Sequence, residues 1–273
     1  MSALTKAAIG GGAVLAVSSG GYGMSFLFRG IMPDFSTLEE QEITTYDTSK
    51  YAKDFKPFFI DDVFEDNQKW WDWSYNTRWL EDNSDSSSMK AKKKFQGVTG
   101  GYKDKDGSDT NSLKQKCKEA YGANSNGDVL DSTDATDKFE TKDIWRYCSI
   151  KGVKPVLVSG YATTKFGGKT GLAESLVSVK DEHKESNDWF WEIREREFRV
   201  GVKTKSKKTQ EPAGTKAKTG KKFDLLYKNE KNRTVKELCR EIYETNQNDG
   251  STKNIEESDI KRFCFLTPVT TDN

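Results

Sequence analysis

The sequence predicts a mainly α protein: an N-terminal transmembrane helix followed by two tandem helical repeat units with long polar loops and minor β. Three observations predict it. Residues Ser112 to Asp128 (SLKQKCKEAYGANSNGD) and Thr234 to Gly250 (TVKELCREIYETNQNDG) repeat Lys, Cys, Glu, Tyr and two Asn at a constant offset. Leu113, Cys117 and Tyr121, like Val235, Cys239 and Tyr243, recur at i, i+4 and i+8 and so share one helical face. The stretch Ala7 to Phe28 carries no charge and is bracketed by Lys6 and Arg29.

That stretch comes first. Its 22 residues span about 33 Å as a helix, against about 30 Å of hydrocarbon. Gly12, Ala16 and Gly20 form a row of small residues at which a second helix can approach, giving a weak homo-oligomer. An uncleaved anchor competes here with a cleaved secretory signal, for which Ala16-x-Ser18 is the small-residue site, and with a glycine-rich segment that is buried or flexible. Lys6 before the span and the acidic run Asp34 to Asp47 after Arg29 put the N-terminus inside and the C-terminal portion outside a single-pass cell membrane.

Five segments follow from these readings: 1–29 as membrane anchor or signal, 30–55 as stalk, 56–160 as repeat unit 1, 161–182 as connector, and 183–273 as repeat unit 2 with a basic loop at 203–222. In unit 1, Trp71, Tyr75 and Trp79 fall within an arc of about 80° on a helix and read as core. Trp71, Trp73, Arg78 and Leu80 are echoed by Trp189, Trp191, Arg196 and Phe198, and DIWRYC (Asp143 to Cys148) by DIKRFC (Asp259 to Cys264). Residues 82–111, including KAKKKF, read as loop. Ser112 or Asn111, Thr234, Thr141 and Ser258 are the expected helix caps. Lys154 to Phe166 is a candidate strand. The run KTKSKKTQEPAGTKAKTGKK (203–222) reads as a solvated flexible loop or as a polybasic contact for anionic glycans or phospholipid headgroups.

Composition bounds the partners. The 44 basic residues face 43 acidic ones, for a net charge of +1, so nucleic acid is not expected, and 34% hydrophobic content suits modest cores under a solvated exterior. Four cysteines allow three pairings. Duplication favours Cys117 with Cys148 and Cys239 with Cys264, with buried free thiols as the alternative. The absence of CxxC spacing argues against zinc.

Enzyme chemistry finds little footing. His183, the one histidine, sits in the charged run KDEHKES, which leaves no HExxH site and ties any His-based triad to a surface position. GGKT (Gly167 to Thr170) lacks the earlier glycine of a phosphate loop, since Thr163 and Ala162 stand there. Neither a cofactor nor a catalytic residue is expected. The acid pairs Asp61 with Asp62 and Glu256 with Glu257 carry the alternative reading, a cell-envelope hydrolase using paired carboxylates.

The N-terminus MSALTKAAIGGGAV, the repeated aromatic and cysteine-bearing helices and the terminal FCFLTPVTT resemble the large paralogous families of surface proteins of hemotropic mycoplasmas. The resemblance implies an anchored, outward-facing, antigenically variable protein with no catalytic residues to carry over. The expected function is surface presentation, with the lipid bilayer (through residues 7–28) and a host surface component as partners. A soluble cytoplasmic protein with four reduced cysteines is the third reading.

Overall fold

A computed structural model describes residues 31–131, 137–206, 209–230 and 232–269. The expected membrane segment, with Gly12, Ala16 and Gly20, lies outside the described residues. Among those described, no helix is long and apolar enough to cross a membrane. The chain divides into two units between Val153 and Lys154.

Unit 1 is mainly helical. Helix α1 (Gln68–Ser74), a π-helical turn (Tyr75–Trp79) and α2 (Leu80–Asp82) run in succession, followed by α3 (Leu113–Gly122) and α4 (Thr141–Cys148). Ser112 starts α3 by accepting the Gln115 N–H at 3.1 Å, which satisfies one of the free donors of a helix N-terminus. The expected face of α3 is the buried one, with Leu113, Cys117 and Tyr121 all at 0% exposure. Minor β structure is a parallel pair, β1 (Val129–Leu130) with β2 (Phe139–Glu140).

The disulfide Cys117–Cys148, with Cα atoms 5.6 Å apart, ties α3 to the end of α4. Directly beside it two extended segments pair antiparallel: Ile60 N–H donates to Cys148 O at 3.1 Å and Ile150 N–H to Phe58 O at 3.0 Å. The Tyr121 hydroxyl lies 2.9 Å from Ile60 O and 3.0 Å from Cys148 O, and Phe59 stacks on its ring at 5.1 Å. Asn67, fully buried, holds the entering chain: its Oδ1 accepts Ser36 N–H at 2.8 Å, and its Nδ2 donates to Ser36 O and Asp61 O, each at 2.9 Å.

Unit 2 repeats this frame in α5 (Lys184–Arg199), α6 (Lys222–Asn229), α7 (Val235–Glu244) and α8 (Glu257–Phe263). Thr234 caps α7 in a reciprocal capping box with Glu237. Cys239–Cys264 ties α7 to the residue after α8. Val177 N–H donates to Cys264 O at 3.0 Å, Leu266 N–H to Ser175 O at 2.8 Å, and the Tyr243 hydroxyl reaches Val177 O at 3.0 Å and Cys264 O at 3.4 Å. Asn187 plays the part of Asn67, accepting Val156 N–H at 2.7 Å and donating to Val156 O and Ser178 O at 2.9 Å each.

These equivalences correct several expectations. The stalk expected over 30–55 is, in its described part, no stalk, because Thr37, Leu38, Tyr46, Tyr51 and Ala52 are buried in unit 1. Residues 161–182 are no connector: Phe166, Leu172, Leu176, Val177 and Val179 are core of unit 2, which begins near Lys154. Both segments carry enough apolar side chains to be drawn into their units, although they lack a helical period. The candidate strand 154–166 forms two isolated antiparallel bridges, Leu157 with Val177 and Lys165 with Asn246.

The aromatic register also shifts. Trp70 and Trp71 meet edge to face at 5.0 Å, and Phe190 and Trp191 do the same at 5.0 Å, so Trp71 corresponds to Trp191 rather than Trp189. Arg194, not Arg196, matches Arg78. Arg78 donates to Ser149 O at 2.7 Å and Ile150 O at 2.9 Å, and Arg194 to Leu266 O at 3.0 Å, in each case on the carbonyls that follow the second cysteine. Arg78 lies eight residues after Trp70 but Arg194 only four after Phe190, a difference of about one helical turn. The π turn breaks the Trp71, Tyr75, Trp79 stripe: Trp71 is buried, whereas Tyr75 and Trp79 are half-exposed and stack on each other at 5.4 Å. Thr141 and Ser258 cap nothing, since each lies inside its helix and Glu140 and Glu256 precede the first turns.

Asn67 and Asn187 yield a test. Asn67→Ala removes the partner of the Ser36 N–H and of the Asp61 C=O, at about 1–3 kcal/mol per group left without one, while the Ser36 C=O keeps the Asp61 N–H at 3.0 Å. Urea unfolding of Asn67→Ala is expected to show a loss of at least about 2 kcal/mol, and Asn187→Ala a similar one, since Val156 O likewise keeps the Ser178 N–H. An effect of a few tenths would contradict the role assigned to these amides.

Candidate functional site

The two units repeat one further feature, and it reaches the surface. Lys90-Ala91-Lys92 in unit 1 corresponds to Lys216-Ala217-Lys218 in unit 2. In both, the alanine is buried (1% and 7%) and a phenylalanine plugs the end of the loop, Phe95 at 0% and Phe223 at 1%. Phe95 packs against Tyr147 at 5.4 Å and Phe223 against Phe263 at 4.8 Å. With the alanine and phenylalanine turned inward, the intervening lysines are pushed outward.

A buried carboxylate pins each loop from beneath. Asp143, the third residue of α4, accepts the Lys92 N–H at 2.7 Å, and Asp259, the third residue of α8, accepts the Lys218 N–H through both oxygens at 3.1 Å. Burial pushes both carboxyls up to about 6, and the loop N–H pulls each part of the way back. Around Asp143, Glu140 pushes in the same direction while Lys142 and Lys92 oppose it. Around Asp259, Arg262 opposes while Glu256 and Asp224 reinforce.

The lysines differ between the units. Lys90, Lys92, Lys93 and Lys94 are all exposed, as is Lys142 on the first turn of α4, and among the described residues none of the five forms an ion pair. Lys94 sits 5.6 Å from the centre of the Phe139 ring. In unit 2, among the described residues, three of the four corresponding lysines are engaged and the Lys218 side chain is not: Lys216 pairs with Glu211 at 2.9 Å, Lys222 with Glu241, and Lys221 donates to Lys253 O.

The sequence treated 90–95 as plain loop and 203–222 as a flexible basic run. The first, and the 214–218 stretch of the second, are instead held in place. Gly214 lets the chain pass so close to Tyr227 that an added Cβ would lie 2.3 Å from its ring, and the Arg262 guanidinium donates to Lys216 O. Gly101 does the same in unit 1, where a Cβ would lie 2.4 Å from the Asp72 backbone. The correspondence KAKKKF with KAKTGKKF is present in the sequence but interrupted by Thr219-Gly220.

The other singled-out residues have structural employment. Cys117–Cys148 and Cys239–Cys264 are the disulfides, the connectivity that duplication favoured. Asp61 Oδ1 accepts the N–H groups of Val63 and Phe64, while Asp62 Oδ1 accepts the Tyr46 hydroxyl at 3.1 Å and burial raises its carboxyl above the usual range. Ser178 takes the place of Asp61 in unit 2, accepting the Lys180 N–H. Glu257 pairs with Lys169 and Lys261, which leaves the lysine of GGKT neutralised. The glycines of that motif serve close packing, since a Cβ on Gly168 would lie 2.3 Å from Ala162 O. His183 is half-buried, with Nδ1 2.8 Å from Ser178 Oγ. No group of His, Cys, Asp and Glu among the described residues is arranged to hold a metal ion.

Comparison with known proteins returns no match to a family model, a curated protein or a solved structure.

The pinning aspartates predict a pH effect. Asp143 titrates near 6 in the folded chain against an ordinary 3.8. Its contribution to stability is therefore complete below the unfolded value and is lost as pH rises through 6. Asp143→Asn keeps an oxygen for the Lys92 N–H and cannot ionise. In urea unfolding it should match the parent at about pH 4 and exceed it at about pH 7.5 by up to about 3 kcal/mol. A difference independent of pH would refute the assignment.

Proposed function

We propose that this protein is a cell-surface binding protein. Two disulfide-stapled modules stand outside the membrane, segment 7–28 holds them there, and their loops engage a host surface component or present a variable antigenic coat. The observation that carries this reading is the pair of disulfides at equivalent places in twin modules. Disulfides persist in oxidising compartments and are rare in reducing ones. With sequence separations of 31 and 25, each closed loop contributes about 3–4 kcal/mol in the chain-entropy model, a large share for units with so low an apolar content.

Binding fits the side chains better than catalysis does. The acid pairs on which a hydrolase would depend are spent on a turn, a buried tyrosine and ion pairs. What differs between the two units over the repeated frame is the loops, where recognition residues usually lie.

The test is thiol alkylation of intact cells followed by non-reducing peptide mapping and surface protease shaving. Peptides linked through Cys117–Cys148 and Cys239–Cys264, released by shaving, are the expected result. Four alkylated thiols in protein that resists shaving would place the modules inside the cell and end this reading.

A further inference from the structure

We infer that the lysine cluster of unit 1, Lys90, Lys92, Lys93 and Lys94 with Lys142, is a binding site for a linear sulfated polysaccharide. The inference deepens the cell-surface reading by naming its ligand class, and rests on that reading for the compartment in which the ligand is met.

Three features of the loop set it apart from an ordinary solvated charge run. First, its shape is fixed from inside: Asp143 holds the Lys92 N–H, Asn83 Oδ1 accepts the Ala91 N–H at 3.1 Å, Gln96 Nε2 donates to Ala91 O at 3.2 Å, and Phe95 is sealed in the core. The entropic cost of ordering the backbone on binding is therefore already met by the fold. Second, the ammonium groups are unspent, with no ion pair among the described residues, so a ligand displaces water and not a carboxylate. Third, α4 adds Lys142 beside Asp143, so the positive surface comes from two elements, while the acids beneath it, Asp143 and Glu140, are 4% and 7% exposed. Four lysines in five consecutive residues lie within about 13 Å of chain. Successive lysines in that stretch are about 3–7 Å apart along the chain, inside the roughly 8 Å Debye length of physiological salt, so a polyanion bearing several charges meets overlapping fields.

The chemistry selects among polyanions. Lysine offers a point charge and not the bidentate fork that arginine brings to phosphate, which suits dispersed sulfate groups. Of the aromatic rings nearby, Phe95, Phe139 and Tyr147 are buried at 0%, 6% and 0%. Half-exposed Trp79, whose indole N–H donates to Phe95 O at 2.7 Å, is already stacked on Tyr75 at 5.4 Å, which leaves little aromatic face for nucleic-acid bases. A single exposed apolar side chain, Met89 at 38%, adjoins the cluster, too little for the apolar face with which interfacial segments enter a bilayer. Unit 2 supplies an internal comparison, since its matching lysines Lys216 and Lys222 already pair with Glu211 and Glu241.

The experiment uses the full chain and heparin as the probe, with affinity measured by calorimetry at physiological salt. One variant carries Lys90→Gln, Lys92→Gln, Lys93→Gln and Lys94→Gln. A charge-matched variant carries Lys203→Gln, Lys205→Gln, Lys216→Gln and Lys218→Gln, four exposed lysines of the other basic segment. All eight side chains are exposed, and near-UV circular dichroism confirms that both variants keep the parent fold. The first variant is expected to bind heparin at least about tenfold more weakly, about 1.4 kcal/mol, and the second within about twofold of the parent. Equal losses in the two would reduce the effect to overall charge and overturn the site. An unchanged first variant would do the same. Tighter binding to phosphatidylserine vesicles or to duplex DNA than to heparin, lost in the first variant, would overturn the ligand class. Because binding is read on purified protein, its failure leaves the cellular location to the peptide map, and a failed map leaves the binding result standing.

Discussion

Each unit depends on one short contact, in which an extended segment pairs with the residues that follow the second cysteine. Two backbone bonds, Ile60 to Cys148 and Ile150 to Phe58, are all the ladder that unit 1 has there, and Val177 to Cys264 and Leu266 to Ser175 repeat it in unit 2. So short a pairing would not persist alone. It is held because every neighbouring group closes on it: the disulfide from the helix, the tyrosine hydroxyl on two carbonyls, the asparagine at the incoming chain and the arginine on the outgoing carbonyls. Burial raises the Tyr121 and Tyr243 hydroxyls far above their ordinary range, which keeps both as donors.

The same frame determines what the surface can do. The second cysteine helix carries an aspartate one turn in, and its carboxylate is the floor on which the Lys-Ala-Lys loop sits. A buried carboxylate is an unfavourable choice for a floor, since burial opposes its charge. In both units the loop N–H offsets part of that cost and converts an isolated charge into a fixed point for an otherwise irregular segment. Once the backbone is fixed, the lysines beyond it can be left without ion pairs among the described residues, as in unit 1, or drawn in part into local ion pairs, as Lys216 and Lys222 are in unit 2. Twin scaffolds can therefore differ in their binding surface with little change to the core.

Where the two units were misaligned from the sequence, tertiary contacts decided the matter. Trp71 and Trp73 match Trp189 and Trp191 by spacing, yet the edge-to-face neighbour of each ring makes Trp191 the counterpart of Trp71. The arginines differ by a turn because each must reach carbonyls set by the disulfide and not by its own helix. Segments 36–55 and 156–179 carry no helical period, so most of their burial is invisible until the partners that cover them are in place. The loop correspondence was hidden by the two residues Thr219 and Gly220, and the lysines masked its informative positions, Ala91, Phe95, Ala217 and Phe223.

The sequence by itself determined the doubling, the mainly helical class, the cysteine-bearing faces and the cap Thr234, and through the doubling it favoured the pairing of the sulfurs. The faces and the cap follow from residue identity at short, regular spacing, where local geometry leaves few choices, and the pairing from the copy itself. Only the tertiary structure decided which residues form the floor, the plug and the free rim of the lysine loops. A charge run reads alike whether it is solvated, paired or held on a buried carboxylate, and the difference lies in groups about 40 or 50 residues away along the chain.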